Sequence, residues 1–480
     1  MSTPIGGPEA RPSRKGALAV SGALLAALLP AAAALGDPRG SGPAFFALLL
    51  AASAAHLAAT IFAWHFRPTR GGAAAIVLVA AAIRAPFLLA PPSLSDDVWR
   101  YVWEGRVQAA GFDPYRLAPN SPDLSALGAG FEDVLGRVNN PEIPAVYPPG
   151  HELVLRAVAE LGGGETALRI LAALADLATG FVVAAILGSR GLPVGRAVAH
   201  LWCPLAAVEF AGSGHGDSLF LLALVLAVYC AERGRRALAA VALGASIALR
   251  AVPLVLVPVF ARALRSRLVL AAAAVLLTLV PFAGGGPEEN SPLAGARQYA
   301  KRWRYNDSAF RALLSVSEAR LEAIESSGPQ WMKSRVENNR HDFNPLAGAK
   351  TLALFLLGTV VAAVVALRRD LAASVLVILF AVLLLSPTVH PWYVAWLAPF
   401  AALVKRPAPA LLFVSAAILA YHAPFAARPG EPWGESGAVV LAEYAPVYGA
   451  IAWEAVRFGT GSPPRARPTK FRWITERRPT

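Results

Sequence analysis

Blocks of about 20 apolar residues recur along most of the chain, and this feature constrains its fold more than any other. They lie at 16–36, 43–65, 72–91, 166–188, 196–211, 217–231, 268–284, 346–367, 371–386, 391–404, 408–424 and 437–458. Apolar residues make up 56% of the 480 positions and charged residues 16%. Soluble domains sit nearer ~45–50% and ~25%. The excess is too large for one buried core. In hydrocarbon, backbone polar groups must be satisfied internally, and blocks of this length do so as helices. A soluble enzyme, a secreted disulfide domain and a disordered scaffold are excluded. The expected fold is an all-α polytopic membrane protein.

The net charge is +13, but the basic residues sit in short loops between blocks rather than on a soluble domain. That argues for orientation in a membrane and against nucleic acid. The block at 237–261 is interrupted by Arg250 and Pro253 and followed by Arg262, Arg265 and Arg267. Reading it as a hairpin of two half-helices keeps every short cytoplasmic loop basic. The count is then about 12–14 membrane segments with both termini cytoplasmic. The first block reads as an uncleaved helix rather than a signal peptide. The expected divisions are a tail at 1–15, three helices over 16–91, an outer loop at 92–165 and a membrane core at 166–284. A second outer loop at 285–345, the C-terminal helices at 346–458 and a basic tail at 459–480 follow. Cys203 and Cys230 lie in apolar blocks without metal-ligand spacing and read as inert.

The two outer loops are too long to be connectors. The first holds 11 acidic residues against 5 basic. The unusual polar residues all fall on this predicted outer side. Asp96 and Asp97 follow Ser95, so they read either as first-turn acids beside an N-cap or as a general base. Arg250 suits either a phosphate or an internal ion pair. Lys301-Arg302-Trp303-Arg304-Tyr305-Asn306 reads as an interfacial anchor or as a clamp on a lipid phosphate with an aromatic platform. His390 and Tyr393 bracket Pro391 and Trp392, and His215 and Asp217 lie in a glycine-rich turn without further zinc ligands. Arg84 and Asp176 are expected to pair within the bundle. No nucleotide-binding or protease motif is present.

Ser95-Asp96-Asp97-Val98-Trp99-Arg100-Tyr101-Val102-Trp103-Glu104-Gly105-Arg106, with Gly111-Phe112-Asp113-Pro114-Tyr115, resembles the first outer loop of GT-C glycosyltransferases. The likeness is greatest to glycosyltransferase family 87 and related bacterial mannosyltransferases. Tyr147-Pro148-Pro149-Gly150, Gly214-His215-Gly216-Asp217, Trp303–Asn306 and His390-Pro391-Trp392-Tyr393 resemble that group's later motifs in order, over roughly residues 80–400. Arg250 stands where many such enzymes carry Lys, and Glu104 where the pattern has Asp.

The resemblance implies a GT-C-like bundle with two large extracytoplasmic loops in the plasma membrane. It implies transfer of a hexose, mannose by preference, from a polyprenyl-phosphate donor to an extracytoplasmic glycan or glycolipid, with inversion. Asp97 or Asp96 is the base, and Asp97 is preferred because Tyr101 follows it by four. Donor phosphate would meet Arg250, Lys301, Arg302, Arg304 and His390. Sugar or acceptor would meet Tyr115, Tyr147, His215, Asp217, Trp303, Asn306 and Tyr393. No cofactor is required, although the adjacent aspartates leave a divalent metal open. A secondary transporter and an envelope polysaccharide ligase or flippase are the alternatives.

Overall fold

The computed structural model describes residues 13–36, 38–92, 94–283, 294–338, 343–368, 370–422 and 434–459. Both predicted tails, except residues 13–15 and 459, and part of the second outer loop lie outside them. The described residues are helical, with no strand.

We number the longer helices. α1 (Arg14–Ala34), α2 (Pro38–Ala63) and α3 (Arg70–Ala82) come first. α4 (Asp97–Ala109) and α5 (Pro149–Glu160) belong to the first long loop. α6 (Glu165–Ser189), α7 (Asp217–Glu232), α8 (Arg236–Leu249) and α9 (Leu268–Leu279) form the centre. α10 (Ala309–Ser327), α11 (Pro345–Ala366), α12 (Leu371–Leu385), α13 (Ala408–Ala416) and α14 (Gly437–Gly459) follow. Starts are set by local chemistry. Ser13 and Thr69 accept from Gly16 and Gly72 backbone N–H at 3.1 and 3.2 Å, and Asp370 caps α12 through Ala373 N–H at 3.1 Å.

Among the described residues, seven segments are long and apolar enough to cross a membrane: Arg14–Ala34, Ser41–Ala63, Arg70–Leu89, Glu165–Ser189, Val252–Phe282, Pro345–Ala366 and Gly437–Arg457. Shorter apolar helices occupy Arg236–Leu249, Leu371–Leu385 and Ala408–Tyr421. The protein is therefore a multi-pass membrane protein. Its exposed apolar side chains, such as Ile61, Leu78, Leu277 and Phe355, form the outer surface of these helices. The stretch 237–261 consists of α8, a break at Arg250 in extended backbone, and a rewound helical segment from Val252.

The core is made of small and branched side chains shared by α1, α2, α6, α7, α8, α12 and α13. One buried ionic group crosses it. Arg84 Nε donates to Asp176 Oδ2 at 2.6 Å, and His200 Nε2 lies 3.0 Å from Asp176 Oδ1. Arg84 Nη1 also donates to the carbonyls of Ala80 and Leu201. The expected Arg84–Asp176 pair is present, with His200 as a third member. A buried charge pair of this kind offsets its desolvation better when further donors find acceptors, as Arg84 Nη1 does on the two carbonyls.

Candidate active site

The site starts where the chain enters α4. Ser95 Oγ accepts from Asp97 N–H at 3.2 Å, which places Asp97 in the first helical turn. Asp96 sits at the cap position and is exposed. Asp97 turns inward. Its Oδ1 accepts from Asn139 Nδ2 at 2.8 Å and its Oδ2 from Tyr147 OH at 3.2 Å. His215 Nε2 lies 3.7 Å from Oδ2, and 18% of the Asp97 side chain remains exposed.

Asn139 is held from beneath by Arg100, one turn along α4. The guanidinium donates to the carbonyls of Asn139, Asn140 and Ile143 at 2.6, 2.7 and 3.0 Å, and to Asn139 Oδ1 at 3.2 Å. Glu104 neutralises it at 3.0 Å. A planar fork with five donors can organise a turn in this way.

Tyr147 is fixed from three directions. Its hydroxyl accepts from Tyr101 OH at 2.9 Å, its carbonyl accepts from Tyr115 OH at 2.7 Å, and its ring stacks on His151 at 4.7 Å. Gly150 makes this approach possible, since a Cβ there would sit 2.7 Å from the Ala248 carbonyl at the end of α8. The start of α5 is thereby pressed against the residues before Arg250. Gly216 plays the same part beside His151, whose ring occupies the space a Cβ would need.

Arg250 stands in an aromatic enclosure. Its guanidinium carbon lies 5.2, 5.0 and 5.8 Å from the ring centres of Tyr147, Tyr393 and Trp396. Asp217 Oδ1 is 3.6 Å from Arg250 Nε and accepts from Trp396 Nε1 at 2.9 Å. Trp392 carries two imidazoles, His215 at 4.0 Å and His390 at 4.3 Å, both stacked. Tyr299 OH is 3.1 Å from Tyr393 OH, and Trp303 stacks on Tyr299 at 4.9 Å. An isolated bridge ties this segment down: Tyr305 N–H donates to Pro387 O at 3.0 Å and Val389 N–H to Tyr305 O at 2.8 Å.

Burial works against ionisation of Asp97. His215, the Asn139 hydrogen bond, His390 and Arg100 outweigh it and hold the carboxyl below its ordinary range. Nearby, burial pushes the Glu152 and Glu104 carboxyls up, Glu152 further because Glu104 stands beside it. Burial, with Arg250 adding to it, pushes His151 down to about 3.

Asp97, Tyr147, His215, Asp217, Arg250, His390 and Tyr393 thus come together at one end of the bundle. Other singled-out residues do not join them. Lys301 is exposed, and Arg304 is half-exposed and pairs with Asp307 at 2.8 Å. The Arg302 side chain lies outside the described residues. Tyr115 is buried beneath Tyr147. Asn306 turns to Glu443 and the Val389 carbonyl at 3.2 and 3.3 Å. Arg100 and Asn139 are additions that motif reading passed over. So is Glu209, whose signal was a lone carboxylate inside the apolar block 196–211. Among the described residues, no three His, Cys, Asp or Glu side chains converge to hold a metal.

A helical multi-pass membrane protein with a carboxylate, an arginine and stacked aromatics enclosing one polar recess is the class that fold and site define. The family model for the MptA/B family, alpha-(1->6)-mannopyranosyltransferase, N-terminal domain, matches residues 14–266, more than half of the chain. The chain belongs to that family and is a mannosyltransferase. It therefore acts on a mannose donor and an acceptor. No curated protein and no solved structure matches it.

Proposed function

We propose that this enzyme transfers mannose from a polyprenyl-phosphate donor to a glycan or glycolipid outside the cytoplasm, with inversion and with Asp97 as general base. The observation that carries this reading is Asp97 itself. Its carboxyl is held below the ordinary range, is partly open, and is flanked by the Arg250 enclosure through the shared Tyr147. The acceptor O–H gives its proton to Asp97 as its oxygen attacks the anomeric carbon, and the bond from that carbon to the phosphate oxygen breaks. The charge that develops on the departing phosphate meets Arg250, which is fixed in place before the reaction. Asp217 balances the Arg250 charge.

The family's α-(1→6) product and an inverting step together require a donor with mannose β-linked to its phosphate. Lipid-borne mannose suits a recess opening on the outer face, an orientation that the distribution of arginines supports. The scheme routes no step through a metal. His390 and Tyr393 would line the donor side, and Trp303 on Tyr299 offers a flat apolar face to a sugar. The family assignment is to a transferase and lends no support to a transporter or a polysaccharide ligase.

Assay of purified protein with polyprenyl-phosphate mannose and envelope glycolipids tests the reading. Asp97→Asn is expected to lower kcat by about 10²–10⁴ while the protein inserts and purifies normally. Arg250→Ala is expected to impair donor use far more than acceptor use. Normal turnover by Asp97→Asn removes the base, and equal loss for both substrates makes Arg250 structural.

A further inference from the structure

Glu209 has no part in the scheme above, yet it is fully buried beside it. It lies on a π-helical turn, Ala207–Gly212, an irregularity that recurs at functional sites. Tyr421 OH donates to its Oε1, and its Oε2 is 3.0 Å from His215 Nδ1. The His215 backbone N–H also donates to the Glu209 carbonyl at 3.1 Å, so turn and imidazole are held together. The opposite edge of the same ring faces Asp97, with Nε2 at 3.7 Å from Oδ2, and Trp392 stacks on its face at 4.0 Å. Glu209, His215 and Asp97 therefore stand in line, an imidazole between two carboxylates.

That order has a chemical consequence. A buried carboxylate is costly to ionise, and a cation within about 4–6 Å offsets the cost. A buried imidazolium is itself costly unless a second anion balances it. We propose that Glu209 is a positioning residue for the base: its carboxylate holds His215 as an imidazolium turned towards Asp97, and that cation keeps Asp97 ionised. This rests on reading Asp97 as the base.

The surroundings agree. Burial alone would lower the His215 pKa, but Glu209, Asp97 and Asp217 together raise it above its ordinary value. The other charged and titratable groups around the line are Arg100, Tyr101, Glu104, Tyr147, His151, Arg250, His390, Tyr393 and Tyr421. His215 lies within ion-pair distance of both carboxylates.

The test is the pH profile of kcat/KM for the full-length enzyme in detergent, with polyprenyl-phosphate mannose as donor. Glu209→Gln is expected to move the acid limb upward by about one pH unit, because Asp97 loses its neighbouring cation. His215→Gln should move it the same way. The double variant should match His215→Gln, since Glu209 acts only through that ring. An unmoved limb in Glu209→Gln overturns the proposal, as does an equal shift when Glu209→Gln is added to His215→Gln. If Glu209→Gln does not survive purification, His215→Gln decides alone, and an unmoved limb overturns the proposal. Asp97→Asn separates the two readings. If it turns over normally, the base assignment fails. If it is inactive while the Glu209→Gln limb stays put, only the role of Glu209 fails.

Discussion

The residues that a sequence reveals best are those whose chemistry is out of place. Asp97, His215, Arg250 and His390 are polar groups at the ends of apolar segments, and the fold brings them within a few ångströms of common neighbours. Lys301 and Arg304 were equally conspicuous, but Arg304 meets Asp307 three residues on and Lys301 faces outward. Charge was legible there, and the partner was not. Arg100 and Asn139 were hidden for a different reason. Their work is on backbone carbonyls and on each other across 39 to 43 residues, and no local pattern reports that. Asn139 gives a test at this scale. It supplies one of the hydrogen bonds that orient Asp97. Asn139→Ala is expected to lower kcat by about tenfold, the worth of one hydrogen bond to a charged group, with donor KM little changed. Arg100 would still hold the turn in that variant, so unchanged kcat would mean that Asp97 needs no such support.

Among elements, the apolar helices followed from block length, while the joint between α4 and α5 did not. It is built from polar groups inside the first long loop. Gln108 Nε2 donates to the Glu152 carbonyl and to Glu152 Oε2 at 3.0 and 2.9 Å, and Glu104 faces the same acid. Glu104 has Arg100 at 3.0 Å, so the shared proton belongs on Glu152. Both carboxyls are raised by burial, Glu152 well above its ordinary value. A group whose folded pKa is raised contributes stability below its unfolded pKa, near ~4.3 for Glu, and loses it as pH climbs through the folded value. The joint between α4 and α5 should therefore loosen as pH rises from that point. Glu152→Gln keeps the shape and cannot ionise. Melting in detergent across the acidic-to-neutral range should show a flatter pH dependence for this variant, with its advantage over wild type growing towards neutral pH. Parallel curves would mean that the pair stays charged.

Across the whole molecule, the site residues from four separate segments share one end of the bundle. Arg250 ends α8, Asp217 opens α7, His390 follows α12 and Asp97 lies in the loop after the third span. Alternating helices place those ends together whatever the membrane orientation. Under the orientation proposed above, Arg190, Arg233, Arg235 and Arg236 lie at the opposite end and face the cytoplasm. α8 has 14 residues and α12 has 15, so each spans roughly 21–23 Å, less than the ~30 Å hydrocarbon core. The recess at their ends would then sit below the membrane surface, within reach of a phosphate carried on a lipid. Orientation is open to direct measurement. In a background with Cys203 and Cys230 replaced, Asp123→Cys and Arg235→Cys each put a thiol at an exposed position, one in the loop that carries Asp97 and one at the far end. A membrane-impermeant maleimide applied to intact cells, after removal of any outer envelope layer, should label the first and spare the second until the membrane is opened. The reverse pattern would put the recess in the cytoplasm. A soluble sugar nucleotide would then be the more natural donor, and the lipid-phosphate role of Arg250 would fall with it.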